Sequence, residues 1–351
     1  MTISHEPLIA VNAAKANATA FSHEPKAKQL VADGSIYLPG TDCAVKSQIS
    51  FATLTSFRVG GPAQWYVSPR HLEELKASFQ WANARNLPVT LVGAGSNLLV
   101  SDRGLPGLSI GTRNLRYTHF DPETGTVRAA AGQSLARLAW KAAELGWEGM
   151  EWAVGIPGTV GGAVVMNAGA HGTSTAEILV NTLVLDPKGN VEVLEVADLD
   201  YGYRTSALQS SAGSAPGRYS DRLVVEATFS LKPGADPDRV TANTTEQLEH
   251  RRHTQPYHLP SCGSVFRNPE GPHGAGWLVE QTGLKGYRIG GAQVAERHAN
   301  FILNCGGATA NDIFQLIHYV QAQVQKRWSV TLEPEVRILG EFPELSQKPG
   351  F

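Results

Sequence analysis

The chain has 351 residues, with 30 Lys and Arg against 32 Asp and Glu, 42% hydrophobic side chains and a formal net charge of −2. This is ample for a packed core and excludes bulk disorder, and the near-zero charge supplies no field that would hold a nucleic acid or an anionic membrane. Any polyanion must be met by local sites, and 36 glycines, about 10% against a usual ~7%, offer the means to build them.

Residues 1–45, rich in Ala, Asn, Lys and Ser with little periodicity, read as a poorly ordered N-terminal extension. From about residue 57 short strand-like runs alternate with amphipathic helices. Residues 71–85 put Leu72, Leu75, Phe79 and Ala82 on one helical stripe, and PVTLVG after them reads as a buried strand. Ser134 caps a second helix whose Leu135, Leu138, Ala142 and Leu145 share a face, with Gly146 as its stop. ILVNTLVLD and VEVLEV around PKGN read as a hairpin, and LVVEATFSLK as a further strand before Pro233. A domain change is expected near 233–260. Beyond it the pattern predicts a helix over about 237–251, a short helix at AGWLVEQTG and the strand NFILN. A long helix then starts from the cap Thr309, with Ile313, Leu316, Ile317, Val320 and Val324 on one stripe, and a strand closes the chain at 331–340. No repeat of fixed period occurs, and segregated hairpins with single helices suit an α+β protein.

Three widely spaced cysteines (Cys43, Cys262, Cys305) fit neither a disulfide framework nor a zinc site, and point to a reducing cytoplasm. No apolar run reaches the ~18 residues needed to span a bilayer, and the N-terminus lacks the form of a secretory signal, so a soluble protein without a membrane partner is expected. His250 and His253 share a helix face, but no carboxylate or cysteine is spaced to complete a metal site, Arg251 and Arg252 would repel a cation, and His258 adds nothing to the pair. No metal is expected.

Glycines cluster in three loops: Gly60-Gly61, Gly93-Ala94-Gly95-Ser96-Asn97, and Gly155-Ile156-Pro157-Gly158-Thr159-Val160-Gly161-Gly162. Loops without side chains let backbone N–H groups approach a phosphate closely, so a diphosphate is the natural guest, with tight turns as the alternative. Known nucleotide fingerprints do not fit. Leu98 stands where the third glycine of a Rossmann G-x-G-x-x-G would fall, and no G-x-x-x-x-G-K-[ST] occurs.

These loops, read with TSFRVGGPA (55–63), YGYRTS (201–206), CGSVFRNP (262–269), the run 275–304 and LEPEVRILG (332–340), resemble the UDP-N-acetylenolpyruvoylglucosamine reductase (MurB) family. The resemblance implies an α+β chain. Residues 46–235 would be a two-lobed FAD-binding domain of the vanillyl-alcohol-oxidase (PCMH) type, split near 112. Residues 236–342 would be a substrate-binding domain and 343–351 a tail. AGWLVEQTGLKG runs straight into GGAQVAERHANF, which is similar to the subtype lacking an inserted tyrosine-bearing loop. FAD would be held non-covalently by Arg58, Gly60, Gly61, Gly93, Gly95, Ser96, Asn97, Gly155, Pro157, Gly158, Thr159, Gly161, Gly162, Asn167 and Ala168. A monomer acting in cell-wall precursor synthesis is implied.

The implied reaction reduces the enolpyruvyl ether of UDP-N-acetylglucosamine to a lactyl ether. NADPH first gives a hydride to FAD, and the sugar nucleotide then accepts one at its terminal vinyl carbon. Charge builds next to the substrate carboxylate, so the protein must stabilise an enediolate and deliver a proton. By resemblance Arg204 grips the carboxylate, Ser264 donates the proton, and Glu335 sits with the arginine, neutralised by protonation or by Arg204. Arg267, Asn268, Lys285, Gln293 and His298, with Tyr203, are the expected substrate contacts, and Arg288 and Arg297 lie in the same segments. Rival readings are a flavin oxidase with another substrate and a sugar-nucleotide-binding regulator, neither of which needs Arg204, Ser264 and Glu335 together.

Overall fold

The computed structural model describes residues 36–209 and 221–344. Most of the expected extension, residues 1–35, and the tail from 345 lie outside the described residues. Residues 36–45 do not share the disorder expected of them: Ile36–Tyr37 pairs antiparallel with Ala44–Ser50, and Leu38 and Cys43 are buried. Two short apolar segments gain a partner strand here that composition does not reveal.

The first lobe is a five-stranded sheet in the order Ile36–Tyr37, Ala44–Ser50, Pro62–Val67, Leu105–Gly111, Val89–Val92. Its last three strands are parallel, because helix Leu72–Asn83 carries the chain across the sheet and buries Leu75, Phe79 and Ala82. Parallel strands end on one side, and the loop 93–97 leaves from that side. The second lobe is an antiparallel sheet ordered Val191–Glu195, Leu179–Leu185, Leu223–Ser230, Thr126–Ala130, Thr118–Asp121. Helices Leu135–Glu144 and Val160–Met166 cover it. Leu145, expected on the buried stripe, is 42% exposed, because the helix stops one residue earlier and Gly146 turns the chain at φ +70°. Leu75 and Trp81 of the first lobe share one core with Leu185, Leu223 and Val225 of the second.

The boundary expected at 236 needs correction. Helix Pro237–Thr254 packs on Leu135–Glu144, with Leu248 against the second lobe's core and Arg239 paired to Glu148 at 2.8 Å. It therefore belongs with the second lobe, and the last unit starts after it. That unit holds helix Ala275–Gln281, the antiparallel strands Arg288–Ile289, Ala292–Val294 and Ile302–Asn304, and helix Ala310–Trp328. Ile313, Leu316, Ile317, Val320 and Val324 are all buried, as their spacing predicts, in a core that also takes in Phe57, Val59 and Leu99 of the first lobe. Asp102 of the first lobe accepts from the amides of Ala310 and Asn311 at 2.9 Å each. The strand expected over 331–340 is shorter: only Arg337–Leu339 is strand, parallel to Leu98–Val100, while Pro334 makes an isolated bridge to Phe266. The closing strand thereby fastens the last unit to the strand that follows the 93–97 loop.

Candidate active site

Arg204, Ser264 and Glu335 come from three distant segments and converge. Arg204 stands in a left-handed turn (φ +58°); its Nε donates to Glu335 Oε1 at 3.1 Å and its Nη2 to the Gly169 carbonyl at 2.7 Å. Asn167 ends helix Val160–Met166, also left-handed, and its side chain reaches both ways: Nδ2 donates to the Gly202 carbonyl at 2.9 Å and Oδ1 accepts from Ala176 N–H at 3.0 Å. Its carboxamide is thus spent on holding the turn that presents Arg204. On the other side, Glu335 N–H donates to the Val265 carbonyl at 2.7 Å, and Val265 N–H to Asn300 at 2.8 Å. Ser264, paired with Phe301, is therefore one residue from the carbonyl that fixes Glu335. Among the described residues its half-buried hydroxyl has no protein hydrogen bond, which leaves it available to a ligand.

Burial pushes the Glu335 carboxyl above the usual range, while Arg204 and then Arg267 pull it back. Burial and the neighbouring Arg267 hold the Arg337 guanidinium below its own. Two guanidinium groups, Arg204 and Arg267, thus act on one carboxyl, an excess of positive charge suited to a carboxylate-bearing ligand.

The glycine loops form a second surface. Arg113 donates to the carbonyls of Gly93 (3.2 Å), Ala94 and Leu54, and Ser56 N–H donates to the Gly95 carbonyl at 3.0 Å. In a trans peptide the following N–H points opposite to the carbonyl, and the described residues contain no cis bond. The amides of Ala94, Gly95 and Ser96 are therefore turned to the edge away from Arg113 and Ser56, as a diphosphate requires. Gly95 itself is dictated by packing: at φ +64° an added Cβ would lie 2.0 Å from the Leu54 carbonyl oxygen. Ser96 Oγ donates to the Pro157 carbonyl at 2.9 Å and ties this loop to the third, and a Cβ on Gly93 would meet Thr159 Oγ1 at 2.8 Å. Thr159 caps helix Val160–Met166 by accepting from Gly162 N–H, and Gly161 N–H donates to the Ala131 carbonyl at 2.9 Å. Gly60 and Gly61 pack on Phe51 and Asp102, beside the exposed Arg58. Asn97 bridges the two surfaces: its Nδ2 donates to the Glu335 carbonyl at 3.0 Å and its own carbonyl accepts from Arg337 N–H at 3.0 Å. A flavin fits this arrangement.

Residues 63–195 match the model of an FAD binding domain, and residues 255–339 that of the UDP-N-acetylenolpyruvoylglucosamine reductase C-terminal domain. A UDP-N-acetylenolpyruvoylglucosamine reductase of Nostoc sp. is 62% identical over 307 residues, 88% of this chain and 90% of its own. The one from Synechocystis sp. is 53% identical over 308 residues, 88% of this chain and 95% of its own. The crystal structure of the reductase from Thermus caldophilus superposes with a TM-score of 0.70 at 32% identity, over 86% of this chain and all (100%) of that one. The chain belongs to the UDP-N-acetylenolpyruvoylglucosamine reductase family. The reductase uses FAD and NADPH to convert UDP-N-acetylglucosamine enolpyruvate to UDP-N-acetylmuramate in peptidoglycan precursor synthesis.

The reductase does not gather all the expected substrate contacts at the triad. Tyr203, 55% exposed, has the Arg204 guanidinium 5.1 Å from its ring centre, and Arg267 Nη2 donates to the Arg204 carbonyl at 3.4 Å while its buried Nε has no protein partner among the described residues. Those two border the site. Asn268 Oδ1 instead accepts from Ala275 N–H at 3.0 Å, and Lys285 pairs with Glu280 at 2.7 Å. His298, whose imidazole burial keeps below its usual range, accepts from Asn300 N–H at 3.2 Å. Gln293 donates to the Gly286 carbonyl, accepts from Arg288 and Cys305, and faces a separate cavity of about 260 Å³ lined by His258, Glu296 and Arg297.

Sequence reasoning missed Arg113, whose fork sets the 93–97 loop, and Asn304, whose Nδ2 donates to the Phe57 carbonyl at 2.9 Å. It also missed Arg251: its Cδ occupies the place of a Cβ on Gly155 (2.4 Å), while the Tyr257 hydroxyl donates to the Gly155 carbonyl at 3.2 Å. The glycine at 155 was the available signal, since it leaves room for a neighbour as well as for a cofactor. Among the described residues no three His, Cys, Asp or Glu side chains form a metal site, and no helix is long and apolar enough to cross a membrane.

Proposed function

We propose that Arg204, Ser264 and Glu335 carry the second half-reaction, in which the enolpyruvyl ether is reduced. Bound FAD supplies the hydride, received from NADPH, to the terminal vinyl carbon. Arg204 holds the substrate carboxylate with its guanidinium, and as charge develops beside that carboxylate the same group stabilises the enediolate. Glu335, protonated or compensated by Arg204, shares the carboxylate without repelling it and orients Arg204 through the 3.1 Å contact. Ser264 gives its hydroxyl proton to the carbon next to the carboxylate; a hydroxyl is a weak acid, so it serves by position, beside guanidinium groups that stabilise its alkoxide. The single observation behind this reading is the Arg204–Glu335 pair lying one residue across a ladder from an unengaged serine hydroxyl.

The three glycine loops, with Arg58, Asn167 and Ala168 at their margins, are the proposed FAD site, residues 46–254 the FAD-binding part and 255–342 the substrate-binding part. Arg267 and Tyr203 are the nearest candidates for the nucleotide part of the substrate, followed by Asn268, Lys285, His298 and Gln293. The uninterrupted run from Ala275–Gln281 to Ile302–Asn304 supports the subtype without the inserted loop. A cytoplasmic monomer without a nucleic-acid partner fits the free cysteines and the net charge of −2.

Anaerobic stopped-flow of the two half-reactions tests the assignment. Ser264→Ala leaves flavin reduction by NADPH within about twofold of wild type and slows reoxidation by the enolpyruvyl substrate by about 10² to 10⁴. Equal losses in both halves would remove the proton-donor role.

A further inference from the structure

We infer that Gln209 is a positioning residue that sets Arg204 for its grip on the substrate carboxylate, an inference that rests on the role proposed for Arg204. Arg204 is a non-glycine residue at φ +58°, a backbone state that persists only where its surroundings over-determine it. Gln209 supplies the shorter of two side-chain contacts at the Arg204 carbonyl, beside that of Arg267 at 3.4 Å. Only 7% exposed, its Nε2 donates to the Arg204 carbonyl at 2.9 Å and to the Val165 carbonyl at 3.0 Å, so both amide hydrogens are used. Val165 lies in helix Val160–Met166, and its carbonyl also accepts from Ser206 Oγ at 2.6 Å. The turn bearing Arg204 is thereby bound to the helix that follows the third glycine loop. At its far end the same arginine is held by the carbonyls of Gly169 and Asn167. With its peptide and its guanidinium both fixed, Arg204 meets Glu335 with one orientation.

Few side chains can replace this contact. A methionine of similar length has no donor, and a glutamate would turn oxygens toward two carbonyl oxygens until protonation restores one O–H donor. Helix Val160–Met166 keeps independent support, since Val160 N–H donates to the Gln133 carbonyl and Gly161 N–H to that of Ala131, both at 2.9 Å. Loss of Gln209 should therefore misplace the arginine and spare the flavin side. A misplacement of about 1 Å at a positioned group costs up to about a hundredfold in rate.

The test uses the FAD-loaded enzyme in anaerobic stopped-flow. Gln209→Met is expected to slow reoxidation by the enolpyruvyl substrate about ten- to a hundredfold with a raised KM, and to leave reduction by NADPH within about twofold. Gln209→Glu is expected to show the same loss at pH 8 and partial recovery toward pH 5, which a purely structural role does not produce; it decides the matter alone if Gln209→Met does not fold. Unchanged reoxidation, equal loss in both half-reactions, or a Gln209→Glu enzyme without recovery at low pH overturns the inference. Arg204→Lys is measured alongside. If it leaves reoxidation intact, the role of Arg204 itself fails and the inference with it; if it slows reoxidation while Gln209→Met does not, only the role of Gln209 falls.

Discussion

The two surfaces of this site are built from opposite materials. At the glycine loops the protein presents backbone, and its side chains work from behind: Arg113, Ser56 and Ser96 fix carbonyls so that amides face outward. At the triad the protein presents side chains, and its backbone works from behind, through the carbonyls of Gly169, Asn167 and Val265. The difference fits the ligand chemistry proposed for each surface. A diphosphate is an extended anion that a row of amides can follow, whereas a small carboxylate that changes charge during reaction needs a few groups at defined points. A backbone surface tolerates little added volume, and a side-chain surface tolerates little change of chemistry.

The contrast is broken most severely at Gly95. Gly95→Val would put a Cβ 2.0 Å from the Leu54 carbonyl oxygen in a left-handed backbone that valine resists. A loss on the order of 4 kcal/mol or more and an enzyme purified without flavin absorbance are expected, read by thermal unfolding and visible spectra. Retention of FAD with unchanged unfolding would mean that the loop is not built by backbone packing. A smaller effect is expected from Arg113→Lys. The ammonium keeps the charge but not the fork that spans three carbonyls, so a loss of about 1–3 kcal/mol and roughly tenfold weaker FAD retention on dilution should follow, with normal kinetics once FAD is saturating. Altered kinetics at saturating FAD would place Arg113 in the chemistry instead.

The same contrast explains what the sequence made legible. The backbone surface is written in contiguous runs, such as Gly93-Ala94-Gly95-Ser96-Asn97, because neighbouring amides come from neighbouring residues. The stripe from Ile313 to Val324 is equally local, and each of its residues is buried. Arg113, Gln209 and Asn304 left no such trace: their bonds join segments far apart in the chain, and no spacing rule marks a lone polar residue as a clamp. Helix Pro237–Thr254 was assigned to the wrong unit for a related reason. It buries only Val240 and Thr244, so its pattern declares a helix but not which core it covers. The triad was legible through family resemblance, since a serine after a glycine and a glutamate near a strand carry no chemical signal by themselves.

The mildest test concerns the proton on Glu335. Burial, opposed by Arg204 and Arg267, raises its pKa in the folded protein, so the folded state binds this proton more readily than the unfolded chain does. Its contribution to stability is full below the ordinary carboxylate range and is lost as pH rises through the raised value. The substrate should sense the same titration: below the raised pKa a neutral carboxyl can donate to the incoming carboxylate, and above it two like charges face each other. The KM for the enolpyruvyl substrate is therefore expected to rise several-fold with pH in the wild type. Glu335→Gln, which keeps the neutral form's shape and an amide donor, should flatten that rise whatever its effect on kcat. A variant whose KM follows the wild-type pH profile would mean that the proton resides elsewhere, and that Arg204 at 3.1 Å compensates Glu335 as a carboxylate throughout.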